Sequence, residues 1–164
     1  MLALQGRGND ALVLSERRIA LNRNDARGWA RLSYTHATLG QQQDAIRAGL
    51  EAIRLSPRDP NLAGFYVCIA AARLHLGDDS QALEWARKSA LEQPNFSMAR
   101  SWVASAAANL GDLDTARSAL AEFRRLQPDY TIGSLRAERL CANPTCEAQR
   151  ERYYDGLKKA GLPD

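Results

Sequence analysis

WARLSYTHATLGQQQDAIRAGLEAIRLSP (residues 29–57) carries two helical apolar stripes, separated by a glycine and closed by a proline. Trp29, Leu32 and His36 stand at i, i+3 and i+7, and Ile46, Leu50 and Ile53 at i, i+4 and i+7, the spacing of one helix face. The same punctuation returns twice, in YVCIAAARLHLGDDSQALEWARKSALEQP (66–94) and RSWVASAAANLGDLDTARSALAEFRRLQP (100–128). Gly40, Gly77 and Gly111 each follow a leucine. Five residues later stand Ala45, Ala82 and Ala116, and twelve after those Pro57, Pro94 and Pro128. Upstream, Gly6 and Ala11 precede Gly40 and Ala45 by 34 residues, although Arg23 stands where the proline is expected. A self-similar period of this length marks a helical repeat array.

Each marker has a physical reason. A glycine closes a helix where the backbone turns left-handed, because it has no Cβ to clash. The alanine falls where the two helices of a pair approach most closely, so a larger side chain would push them apart. The proline lacks an N–H and biases its predecessor away from helix, which stops the second helix. No five-residue stretch alternates as a half-buried strand would, so the chain is expected to be all-α. The repeat steps are 37 and then 34 residues, and Asp59-Pro60 supplies a reason for the longer one. It reads as an N-cap followed by proline at the first helical position, so the next helix is expected to start early and run over about 60–76. After Pro128 the pattern lapses. TIGSLRAERL reads as one helix, and Asn143-Pro144 opens another that runs to about Ala160, where Gly161 and Pro163 end it. The expected organisation is a single domain: a half repeat (1–25), three repeats (26–59, 60–96 and 97–130) and a two-helix C-terminal cap (131–164).

These residues resemble the tetratricopeptide repeat (TPR) family. Trp29, Leu32, Ser33, Gly40, Ala45, Ala52 and Pro57 fit its helix-turn-helix pattern. The second repeat keeps Tyr66, Ile69, Ala70, Gly77, Ala82 and Pro94, and the third Val103, Ala104, Gly111, Ala116 and Pro128. Gly49 and Arg100 depart from it, standing where a large apolar residue and an aromatic are usual; both are expected to weaken packing locally. The resemblance covers residues 1–130 and implies a superhelical solenoid of antiparallel helix pairs. IRLSPRDP, LEQPNF, LQPDYTIGSLRAERL and YYDGLKKAGLPD are also similar to the C-terminal TPR segment of bacterial class III nucleotide cyclases and related winged-helix regulators. There the segment is a sensory or scaffolding module joined to an output domain. The 164 residues leave no room for that domain. Met1 would also fall inside the second helix of a repeat, so a fragment or a truncated gene is expected.

The resemblance implies that the first helix of each repeat lines a concave groove. Here that gives Arg27, Ala30, Tyr34 and Thr38, then Val67, Ala71 and His75, then Met98, Ser101, Ser105 and Asn109 as the candidate binding residues. The lining is small, mildly apolar and nearly uncharged. A clamp for a C-terminal carboxylate needs several cationic and amide side chains there, and only Arg27 and Asn109 qualify. A groove of this kind suits an extended apolar peptide or a helix, and this chain's own C-terminal helix is a candidate occupant. The expected function is therefore non-catalytic protein binding or scaffolding. The rivals are a regulatory segment of a larger cyclase or transcription regulator, and self-association through the unpaired N-terminal helix. In that helix Leu12 and Ile19, with Leu4 and Leu14, supply apolar positions, and a homodimer would cover its outer face.

Composition excludes other classes. Charged residues are 25% and the net charge is +3 with both signs scattered, too weak a bias for nucleic acid. No run of eighteen apolar residues could cross a bilayer, and the N-terminus lacks the layout of a secretory signal. There is no glycine-rich phosphate loop, no HExxH and no Ser or Cys nucleophile in a defined relation to a histidine. No catalytic residue, cofactor or metal is expected. Cys68, Cys141 and Cys146 are expected to be free thiols in the reducing cytoplasm; a Cys141–Cys146 disulfide is the alternative, and a metal site is disfavoured. His36 is expected to pack in the core, as is Trp29. His75 reads as a groove wall, and Trp85 and Trp102 as candidate interface residues. Arg124-Arg125 and Lys158-Lys159 read as solvated helix faces.

Overall fold

The computed structural model describes residues 8–164, which form helices and connecting turns with no strand among them. In chain order the helices are α1 (Gly8–Leu21), α2 (Ala26–Thr38), α3 (Gln42–Leu55), α4 (Leu62–His75), α5 (Asp79–Glu92), α6 (Ser97–Asn109), α7 (Leu113–Leu126), α8 (Ile132–Ala137) and α9 (Pro144–Ala160). Helices adjacent in sequence pack as antiparallel neighbours from α1 to α7, and α4 also touches both α2 and α6, so the three form an inner row. The architecture is an all-α, TPR-type solenoid.

The repeated markers act as their chemistry requires. Gly40, Gly77 and Gly111 have φ of +75°, +83° and +83°. That left-handed turn lets the amides of Gln41, Asp78 and Asp112 reach back to the carbonyls of His36, Arg73 and Ala107 at 2.9–3.0 Å. Asp78 and Asp112 then cap the following helices by accepting from the amides of Gln81 and Thr115. Ala45, Ala82 and Ala116 are buried to 1% exposure or less. The prolines stand two residues beyond the last helical residue of α3, α5 and α7. Hydroxyls tie the pairs together: Ser33 Oγ donates to the Ala45 carbonyl at 2.7 Å, and Ser89 Oγ to the Ala63 carbonyl at 2.8 Å.

Several expectations need correction. α4 begins at Leu62, so it is one residue longer than α2 and α6, not most of a turn. The extra residues of the 37-residue step lie in the turn before it, where the Leu62 amide donates to the Asp59 carbonyl and Asp59 Oδ1 accepts from the Asn61 amide. Gly49 does not loosen its repeat. A Cβ there would meet Ile69 Cγ1 at 2.7 Å and Ser33 Oγ at 3.2 Å, so the missing side chain is what lets α3 approach its neighbours. The TIGSLRAERL segment is helical only over Ile132–Ala137, and Arg139 takes a positive φ of 46°. His36 is half-buried, its Nδ1 2.7 Å from Gln41 Oε1, and does not sit in the core. Trp29 is also only partly buried, its indole N–H donating to the Arg23 carbonyl. Cys141 and Cys146 are joined in a disulfide, while Cys68 is a free thiol. Free thiols were expected from a reducing compartment; the turn between α8 and α9 instead brings the two Cα atoms to 5.4 Å, within disulfide reach.

At the N-terminal edge α1 packs on α2 through Ile19 and the partly buried Leu12, against Leu32, Ala48 and Trp29. Val13, Leu14 and Leu21 are exposed. Leu4, assigned to the same apolar face, lies outside the described residues.

Candidate functional site

The C-terminal helix divides the concave face. After α7 and the short α8, the chain reverses, and α9 runs across the carboxyl-terminal ends of α2, α4 and α6, packing most closely on α6. Those ends carry negative helix-dipole charge, so donors and cations are favoured against them. α9 and the turn before it supply these. Asn143 Nδ2 donates to the Leu39 carbonyl at 3.0 Å, Gln149 Nε2 to the Gly40 carbonyl at 3.2 Å, and Lys159 Nζ to Asn109 Oδ1 at 3.1 Å. Arg152 pairs with the buried Asp79 carboxylate in the first turn of α5.

The predicted binding residues of the third repeat lie under this helix. Tyr153 OH donates to Ser101 Oγ at 2.7 Å, Ser105 Oγ donates to the Tyr153 carbonyl at 2.9 Å, and Asn109 Nδ2 to the Arg152 carbonyl at 3.3 Å. The Tyr153 ring stacks on Trp102 at 4.0 Å. Trp102 is thus an interface residue, but its partner is in the same chain. Gly156 makes the contact possible, since a Cβ there would lie 2.5 Å from the Ser105 carbonyl oxygen.

The concave face keeps two connected spaces, one open beside α9 and one beneath it. The first is an open depression of about 420 Å³ between the amino-terminal halves of the inner helices, lined by Arg27, Ala30, Tyr34 and Val67 with Gly64 and Phe96. Arg27 is exposed, with Asp59 Oδ2 3.6 Å from its Nε. The second, also about 420 Å³, is roofed by α9. Its walls include Tyr34, Thr38, Val67, Ala71, His75 and Met98, which the family resemblance implied would line the groove, together with Trp102, Cys146 and Arg150. Burial strongly shapes this cavity's chemistry. It pushes the Cys68 thiol up to about 11, raises the Tyr34 hydroxyl, and holds His75 down at about 3 with the nearby Arg150 charge adding to the effect. His75 is therefore a neutral imidazole at physiological pH.

The C-terminal helix was a candidate groove occupant, and α9 does cover Ser101, Ser105 and Asn109; the repeat pattern did not show which of its side chains do so. Cys146, Arg150, Tyr153, Leu157 and Ala160 follow at steps of four, three, four and three, all buried. That stripe was legible in the sequence as a helix seam, and an arginine within it was the sign of an unusual environment. Among the described residues no group of three or more His, Cys, Asp or Glu could hold a metal ion, and no helix is long and apolar enough to cross a membrane.

The helix pairs and their stacking define a TPR-type helical solenoid fold. No protein-family model matches the chain, and no curated protein matches its sequence. Solved structures similar to it include MamA, with a TM-score of 0.69 at 18% identity over 95% of this chain and 88% of that one. TTC0263, a thermophilic TPR protein in Thermus thermophilus, gives 0.67 at 24% identity over 97% and 88%. YrrB, described as a TPR protein with an unusual peptide-binding site, gives 0.63 at 18% identity over 97% and 79%. At these identities the likeness is one of fold.

Proposed function

We propose that this chain is a non-catalytic protein-interaction module that binds a peptide segment in the open half of its concave groove. The observation that carries the reading is the division made by α9. It seals the ends of the inner helices with its own hydrogen bonds and leaves free a strip in which Tyr34, Val67 and Phe96 offer apolar surface beside the Arg27 cation. An extended peptide with apolar side chains and a nearby acidic residue fits that strip. The peptide-binding site named for YrrB, on the same fold, supports the reading by analogy. The similarity of short segments to cyclase-associated repeats adds nothing to it.

The test is selection of binding peptides from a displayed random library against the intact chain, followed by affinity measurement with variants. Tyr34→Glu and Val67→Arg should each weaken the selected peptides about tenfold or more. Leu91→Glu, on the exposed surface of α5, should leave them unchanged. Peptides that bind the two groove variants as well as the parent would refute the assignment.

A further inference from the structure

The cavity beneath α9 contains polar groups that the fold itself does not use. Arg150 projects from the buried seam of α9 and is only 8% exposed. Its Nε donates to Tyr154 OH at 2.8 Å and its guanidinium lies over the rings of Tyr153 and Tyr154, yet its Nη2 is buried with no hydrogen-bond partner. His75, 9% exposed, packs edge-on against Trp102 at 5.7 Å, and both of its ring nitrogens are buried without a partner. No carboxylate of the described residues lies within ion-pair distance of Arg150, and residues 1–7 contain none. Glu138, the acidic residue on the wall, accepts from Tyr130 OH at 3.0 Å. A buried guanidinium without a counter-charge is costly by desolvation, and solenoid packing alone gives no reason for one. The surroundings are otherwise apolar: Ala37, Val67, Ala71, Met98 and Trp102.

We propose that this cavity binds a small molecule with an apolar body and a single carboxylate, the carboxylate held by Arg150 and by a ring N–H of His75. Arginine matches a carboxylate through parallel donors, and the charge-assisted bond gains strength where water is excluded. The volume lies within the range of ligand pockets, which are mostly apolar with a few converging polar groups. Entry is through the open half of the groove, since Tyr34, Val67 and Phe96 line both spaces. The site is distinct from the peptide strip: it lies under α9 and depends on a side chain of α9.

Decanoate is a suitable probe and decanol its uncharged counterpart, measured by isothermal titration calorimetry on the intact, oxidised chain. Decanoate should bind at least tenfold more tightly than decanol. Arg150→Gln should remove most of that preference, and Arg150→Lys should restore part of it. Ala71→Leu, which fills the cavity while leaving Arg150 in place, should weaken both probes, with circular dichroism confirming the parent helix content. Because the comparison of the two probes uses the parent protein, it stands even if Arg150→Gln does not fold. Absence of binding at millimolar decanoate, equal affinity for decanol, or decanoate binding indifferent to Ala71→Leu would each overturn the proposal.

Discussion

Replacing Gly156 with alanine sets two effects of opposite sign against each other on α9. In a helix interior the change raises intrinsic helix stability by about 1 kcal/mol. In the folded chain, however, the new Cβ would stand 2.3 Å from Ser105 Oγ, 2.5 Å from the Ser105 carbonyl oxygen and 2.9 Å from its Cα. The hydroxyl can rotate, but the backbone of α6 cannot easily retreat. Residues 101–108 are all buried, and α6 packs against α4, α5 and α7 as well as α9. The clash must be relieved by lifting α9, which stretches the Ser105–Tyr153 and Asn109–Arg152 hydrogen bonds and the Trp102–Tyr153 stack. Overpacking of this kind costs about 1–3 kcal/mol. Subtracting the helix gain leaves a net loss of about 0–2 kcal/mol. Urea unfolding followed by Trp fluorescence and by far-ultraviolet circular dichroism measures it, since Trp102 lies in the disturbed contact. Trypsin should also cut faster after Arg150 and Arg152. An alanine variant more stable than the parent would refute the docked position of α9.

Three further outcomes follow from other parts of the molecule. Reduction of the Cys141–Cys146 bond, or Cys141→Ser with Cys146→Ser, should cost about 2 kcal/mol from the released loop alone; thermal melts with and without dithiothreitol measure it, while iodoacetamide should leave the native Cys68 unlabelled at neutral pH because burial keeps it a thiol. His75 has a folded pKa depressed to about 3 against an unfolded value of about 6.5, so the unfolded chain binds the extra proton; stability should fall as pH drops from about 6.5 towards 4, and His75→Phe should flatten that dependence in denaturant titrations. Self-association through α1 should show in sedimentation across a concentration range and be abolished by Leu14→Glu, which is 54% exposed; Leu12→Glu is the poorer choice because Leu12 also packs on α2. A parent chain monomeric at high micromolar concentration would refute that interface.

The repeat architecture was readable from the sequence because its determinants are local. Gly40, Gly77 and Gly111 act through their own φ, the alanines through the size of one side chain, and the prolines through a missing N–H, so each operates wherever its repeat stands. The groove residues were an expectation carried by the family resemblance, and Ser101, Ser105 and Asn109 among them lie beneath α9. The turn before Leu62 was misjudged as helix because Asp59-Pro60 satisfies a capping pattern equally well in either structure, and only the packing of Leu62 and Phe65 decides between them. The fate of α9 was a matter of tertiary structure. Its amphipathic seam and the glycine within it are present in the sequence, but which surface they meet depends on where three superimposed repeats place their helix ends. The same holds for the disulfide, which needs the turn after α8 to close, and for Arg150. Its charge is evident in the sequence; that it is buried without a counter-ion in an apolar cavity arises only when residues 34, 75, 102 and 150 are brought together by folding.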